Sequence, residues 1–241
     1  MKPKILLLQA RHADDTARLE ELSSFAEMAG LDESNFVPFD LLNGTPSLND
    51  VKRHDALMVG GSGEYYVSKK NLPGFLKVMD LLAAVVDIGH PTFASCFGFQ
   101  MMVQALGGRI IYDPDNMEVG TYELQLSEVG KKDELFRYLP PTFMAQLGHK
   151  DRADRLPEGV INLASSVNSR FQAMRIPEKP IWATQFHPEL TREENLKRFH
   201  RYLDGYASMM SREEVEETLA RFSDSPETKD LIPRFLRTVF D

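Results

Sequence analysis

Only one cysteine, Cys96, occurs in the 241 residues. No intramolecular disulfide can form, a CxxC metal site is excluded, and a cytoplasmic setting fits. Long apolar runs are also missing: no stretch of about 18 apolar residues exists to cross a bilayer as a helix. The leading Ile5-Leu6-Leu7-Leu8 is too short for a secretory signal and runs straight into Arg11, His12, Asp14 and Asp15, so a buried first strand is expected. Basic charge is in deficit, 28 Lys and Arg against 36 Asp and Glu. The net charge of −8 argues against nucleic acid as a main partner, because neutralising phosphates needs clustered Lys and Arg. There is no internal repeat, no low-complexity stretch, no Walker loop and no complete GxGxxG.

What is present is ordinary globular composition, 42% apolar and 27% charged, enough for one large domain or a domain with an appendage. Strand-like residues 4–9 precede a helix capped by Asp14 or Asp15, with Ala17, Leu19, Leu22, Phe25, Ala26 and Ala29 as its apolar face and Gly30 at its end. Short strands are expected at 35–39, 55–59 and 91–95, and helices at 72–88 and 98–106. This alternation implies an α/β fold with a mostly parallel central sheet flanked by helices, its ligand site at the carboxyl ends of the strands. Residues 119–127 and 143–147 read as exposed or antiparallel strands, with a short helix near 133–138 between them. Strands at 160–164, 170–175 and 181–186 follow. Thr191 with Glu194 and Ser211 with Glu214 form two capping boxes, and the charged residues 192–201 read as the solvated face of the first capped helix. The tail, with Leu231, Ile232, Phe235, Leu236, Val239 and Phe240, reads as an appended helical cap or an oligomer contact.

Cys96 stands at an expected strand-to-helix junction, in Ala94-Ser95-Cys96-Phe97-Gly98-Phe99-Gln100. A sharp turn there lifts the thiol clear of the sheet, and the helix N-terminus favours a thiolate. His187, in Gln185-Phe186-His187-Pro188-Glu189, is a candidate general base, with Glu189 placed to hold its other ring nitrogen. Gly60-Gly61-Ser62-Gly63 follows an apolar strand and can present N–H groups to a developing oxyanion. On their own, these residues also admit a small core cysteine, an incidental histidine and a plain tight turn. A zinc site built from His149, Asp151, His187 and Glu189 is a weaker reading, since it leaves the cysteine turn and the glycine loop without a role.

In this order, Gly60-Gly61, Cys96-Phe97-Gly98-Phe99-Gln100, Gln146-Leu147-Gly148-His149-Lys150-Asp151 and His187-Pro188-Glu189 resemble the class I (triad) glutamine amidotransferases. The likeness is strongest to the glutaminase domain of GMP synthase and its stand-alone relatives, over residues 4–202. The resemblance implies a flavodoxin-like domain over 1–208 with a helical C-terminal extension over 209–241. It makes Cys96, His187 and Glu189 the catalytic triad and puts the N–H groups of Gly61 and Phe97 in the oxyanion hole. It places Gly60, Gln100, His149 and Asp151 at the substrate, and implies no cofactor and no metal. The substrate is then glutamine, with ammonia released or passed on. No synthase domain is evident in the chain, so a transferring enzyme needs a separate synthase or acceptor subunit. Homo-oligomer formation is also open.

The sequence departs from the family pattern at Ala94, Ser62, Gly148 and Lys150. The last two bear on how the α-amino and α-carboxyl groups of glutamine are held, and the segment His149-Lys150-Asp151 resembles the plant γ-glutamyl peptidases, which opens γ-glutamyl peptides as the alternative substrate. Outside catalysis, a regulatory binding module of the same fold and an elbow-cysteine redox sensor or chaperone are the competing classes.

Overall fold

The structure is a computed structural model that describes residues 2–207 and 210–240. The elements run β1 (Ile5–Ala10), α1 (Ala17–Ala29), β2 (Phe36–Asp40), α2 (Leu48–Lys52), β3 (Ala56–Ser62), α3 (Phe75–Asp87), β4 (Thr92–Ser95) and α4 (Phe97–Ala105). Then come β5 (Arg109–Tyr112), β6 (Glu118–Leu126), β7 (Thr142–His149), β8 (Asp151–Arg155), β9 (Ile161–Ser165), β10 (Ala173–Ile176) and β11 (Ile181–Thr184). Four helices close the chain: α5 (Arg192–Arg201), α6 (Leu203–Ala207), α7 (Arg212–Arg221) and α8 (Leu231–Phe240).

Nine strands form one sheet in the order β2-β1-β3-β4-β11-β10-β9-β6-β7. The first five are mutually parallel, and the remaining pairings are antiparallel. The central parallel strands are apolar on both faces, as a sheet covered by helices on both sides requires. Leu6, Leu8, Leu57 and Val59 pack under α3 and α4, while Ile5, Leu7, Ala56 and Met58 pack on the opposite face under α1 and α8. β5 and β8 make a separate antiparallel pair that sequence reading did not anticipate.

Three expectations shift in register. The strand expected at 170–175 begins at Ala173, and the helix expected from 72 begins at Phe75, after Gly74 with φ of 68°. In α1 the buried face is Ala17, Glu21, Ser24, Phe25, Ala26 and Ala29, whereas Leu19 is 71% exposed. A carboxylate therefore takes an inward position that hydrophobic periodicity assigns to an apolar side chain, and its partners lie at the candidate site.

The domain boundary expected at 208/209 lies outside the described residues. Beyond it, Leu231, Ile232, Phe235 and Leu236 are buried in the same cluster as the sheet residues Phe93 and Trp182. The Phe235 ring lies 5.5 Å from Phe93 and 6.1 Å from Trp182. The last helix thus shares the core of the sheet. Trp182, read as a core or subunit-contact residue, is buried and donates its indole N–H to Asp133.

Candidate active site

The site forms because β4 and β11 are neighbours in register, Ser95 opposite Thr184. The chain leaving β4 places Cys96, and the chain leaving β11 places Gln185, Phe186 and His187, at the same carboxyl edge of the sheet. The strand expected to continue to Phe186 stops at Thr184, whose Oγ1 donates to the Phe186 carbonyl and turns the chain toward Cys96.

Cys96 has φ of 50° and ψ of −102°, a backbone state that non-glycine residues seldom occupy. Its N–H donates to the Thr184 carbonyl at 2.7 Å, tying the turn to β11, and its carbonyl accepts from Gln100 N at 3.1 Å. Helix α4 starts at Phe97, so the Phe97 N–H has no intrahelical acceptor, and Phe97 lines the cavity that holds Cys96. Gly98 is required for space: a Cβ there would lie 2.5 Å from the Val59 carbonyl and 2.8 Å from Val59 Cβ.

His187 Nδ1 lies 2.6 Å from Glu189 Oε1, and both His187 and Cys96 line the same cavity. The same Glu189 oxygen accepts from Ser95 Oγ at 3.2 Å. Burial alone would lower the His187 pKa. The neighbouring Cys96 and Glu189 outweigh burial and raise His187 to about 9. Burial raises the Glu189 carboxyl, but the facing imidazolium and then Arg198 bring it below its ordinary value. A hydrogen-bonded run Ser95–Glu189–His187 results, orienting the imidazole in the cavity that Cys96 also lines.

The Gly61 N–H has a protein acceptor in this structure. Both Gly60 and Gly61 remain in β3, and the Gly61 N–H donates to Glu21 Oε1 at 3.0 Å. Of the two residues expected at the oxyanion position, Phe97 lines the cavity, at the start of α4. The two glycines serve close approach instead: a Cβ on Gly60 would lie 2.6 Å from the Glu21 carboxylate carbon, and one on Gly61 3.2 Å from the His187 ring. Glu21 is fully buried and also accepts from Arg11 Nη2 and Gln9 Nε2, each at 3.1 Å. This explains the inward turn of α1.

The expected substrate residues line the cavity, Gly60 excepted, but are tied to the protein. Gln100 donates to the Asp151 carbonyl at 2.9 Å and to Gln185 Oε1 at 3.2 Å. His149 bridges the Asp151 carbonyl and Glu118 Oε2, 3.0 Å from each. The Asp151 carboxylate accepts from the Ser68 hydroxyl at 2.6 Å and the Ser68 N–H at 2.8 Å, and burial raises its pKa. Lys150 also lines the cavity, and burial, reinforced by Lys69, lowers its pKa to about 8.

Sequence reading missed Gln185, whose amide lies 3.7 Å from Cys96 Sγ. It also missed Ser95 as the second partner of Glu189, and the Arg11–Glu21 pair. The stretch 192–201 is not uniformly solvated either: Asn195, Arg198 and Phe199 are buried, and all three line the cavity. Their i, i+3, i+4 spacing on a capped helix was the available signal. The cavity has a volume of about 420 Å³, within the range of small-molecule sites.

A family model for glutamine amidotransferase class-I matches residues 35–201. The chain belongs to the class-I glutamine amidotransferases. The GMP synthase [glutamine-hydrolyzing] of Aspergillus oryzae is 29% identical over 210 residues, covering 87% of this chain and 35% of that protein. The chain thus spans about a third of that relative's length. A GMP synthase [glutamine-hydrolyzing] subunit from Archaeoglobus fulgidus is 29% identical over 150 residues, 62% of this chain and 74% of that one. Among solved structures, a glutamine amidotransferase from Thermotoga maritima superposes with a TM-score of 0.72 at 20% identity over the full length of both chains. That likeness shows the class-I fold. Among the described residues, no helix is long and apolar enough to cross a membrane.

Proposed function

We propose that this amidotransferase cleaves the γ-carboxamide of glutamine through a thioester on Cys96. The observation that carries the reading is the hydrogen-bonded run Ser95–Glu189–His187, set at the carboxyl edge of the sheet in the cavity that Cys96 also lines. The Cys96 sulfur attacks the amide carbon, and the negative charge that develops on the amide oxygen is met by the Phe97 N–H and the positive end of α4. Collapse breaks the C–N bond, and His187, held protonated by its two neighbours, gives its proton to the departing ammonia. The neutral imidazole then takes a proton from water. Hydroxide attack on the thioester expels the Cys96 thiolate beside the protonated imidazole, and the new carboxyl group gives its proton to solvent as glutamate leaves. Glu189 keeps the imidazole in one orientation and stabilises its charged form. Gln185 and Gln100 fix the floor beneath the sulfur.

The half-reaction up to the thioester is the same for a γ-glutamyl peptide, with an amine leaving in place of ammonia. Gly148 and Lys150 at the cavity wall favour keeping this second substrate class. If ammonia is passed on, a separate acceptor protein receives it, a reading supported by relatives named as individual subunits of GMP synthase. We read residues 209–241, beyond the family match, as an extension that completes one helical layer of the same domain.

The test is product release from purified protein given glutamine or γ-glutamyl peptides, with Cys96→Ala as control. Turnover that vanishes in Cys96→Ala supports the mechanism. Turnover that persists in that variant refutes it. A folded protein that binds but turns over nothing, alone or with a synthase partner, is a regulatory module.

A further inference from the structure

Arg198 borders the Cys96 cavity with 7% of its surface exposed, and its Nη1 and Nη2, themselves shielded from solvent, have no hydrogen-bond partner among the described residues. Several other polar side chains around the cavity have partners: Arg11 with Glu21 and Tyr202, Arg201 with Glu20, His149 with Glu118, Asp151 with Ser68. Arg198 has no carboxylate at ion-pair distance among the described residues. Glu21 and Glu189 attract it only from farther away, and Arg11 repels it. Burial and then the Arg11 charge lower its pKa, yet a guanidinium remains protonated near neutrality. A buried, charged fork with free donors is a costly arrangement unless something completes it. An ion that is present only when the site is loaded would do so. The matching chemistry is a carboxylate, which meets the paired N–H groups of an arginine in two parallel hydrogen bonds.

We propose that Arg198 binds a carboxylate of the substrate and so makes the cavity selective for anionic γ-glutamyl compounds. The proposal rests on the γ-glutamyl reading of the site and adds the group that holds the substrate's charge. Two carboxylates share this chemistry: the α-carboxylate of the γ-glutamyl unit, and the C-terminal carboxylate of a γ-glutamyl peptide.

The experiment is a ligand-by-residue cycle in Cys96→Ser protein, where binding is separated from turnover. Calorimetry would give affinities for L-glutamine, L-glutamine α-amide, γ-glutamylglycine and γ-glutamylglycinamide, with Arg198 intact, with Arg198→Gln and with Arg198→Lys. Arg198→Gln should weaken the carboxylate ligand about 10- to 100-fold, the range of a hydrogen bond to a charged group. Arg198→Lys should keep part of it. Neutralising the right carboxylate on the ligand should cost as much when Arg198 is present and nothing after Arg198→Gln. Coupling to the α-amide assigns the α-carboxylate; coupling to the glycinamide assigns the C-terminal one. Ligands that bind equally well before and after Arg198→Gln overturn the carboxylate role while leaving the hydrolase reading intact. No binding of any of the four overturns both. Thermal unfolding without ligand gives a second readout. A purely structural arginine predicts a lower midpoint in Arg198→Gln, whereas an unpaired binding group predicts an unchanged or higher one.

Discussion

Replacing Gly98 by alanine probes whether the first turn of α4 positions the chemistry. The added Cβ would sit 2.5 Å from the Val59 carbonyl and 2.8 Å from Val59 Cβ, roughly 0.9 Å short of ordinary van der Waals contact with the oxygen. Neither obstacle is the free end of a flexible side chain, and Val59 is buried in the middle of the sheet. The helix, carrying Cys96 and the Phe97 N–H, must therefore give way by most of that distance. Overpacking of this kind costs about 1–3 kcal/mol of stability. For a chain of this size that is a fall in Tm of roughly 2–12 °C. The effect on rate should be larger in proportion, because displacing reacting groups by about 1 Å costs on the order of 100-fold. The assay is paired: thermal unfolding for the fold, and kcat for glutamine or the preferred γ-glutamyl substrate. The expected result is a folded variant with kcat down by roughly two orders of magnitude. Gly98→Ala protein with full stability and full kcat would refute the assignment of α4 as the element that positions the nucleophile.

Further outcomes follow from the same contacts. His187 is raised to about 9 by Cys96 and Glu189, so its charged form adds stability that is fully present below its ordinary pKa of about 6.5 and disappears as pH rises through about 9. Activity should fall along the same alkaline limb, and Glu189→Gln should move that limb to lower pH; a limb that stays in place would exclude Glu189 as the source of the shift. Ser95→Ala removes the second hydrogen bond to a carboxylate whose other oxygen already lacks a partner. It should cost about 1–3 kcal/mol by denaturant unfolding and lower kcat more than it raises KM. Phe235→Ala should cost about 3–5 kcal/mol, since the ring is fully buried between Phe93 and Trp182. A loss under about 1 kcal/mol would mean that the last helix is only appended to the surface, since truncating a buried aromatic costs several times that amount.

The parts of the fold that could be read from sequence are those whose signal is local. A buried parallel strand is an uninterrupted apolar run, and the Cys96 turn declares itself by the strand before it and the glycine after it. The β5–β8 pair was hidden because Arg109–Tyr112 and Asp151–Arg155 are short, partly charged and distant in sequence, so only the pairing itself gives them a strand identity. Helix α2 was missed although Ser47 and Asp50 form a capping box, since five residues carry too little periodicity to register. The larger failure concerned charge. Glu21 was passed over in favour of Leu19 and Arg198 was taken as solvated, because periodicity weighs apolar side chains and treats charges as outward-facing. A buried charge is tolerated when other groups answer it, and those groups come from elsewhere in the chain. Glu21 is answered by Arg11, Gln9 and the Gly61 N–H. The nucleophile was therefore legible from one strand–turn–helix. The polar wall around it depends on pairings between β1, α1, β3 and α5 that arise only once the sheet has assembled, and Arg198, whose Nη1 and Nη2 have no partner among the described residues, is the group in it that we assign to the substrate's carboxylate.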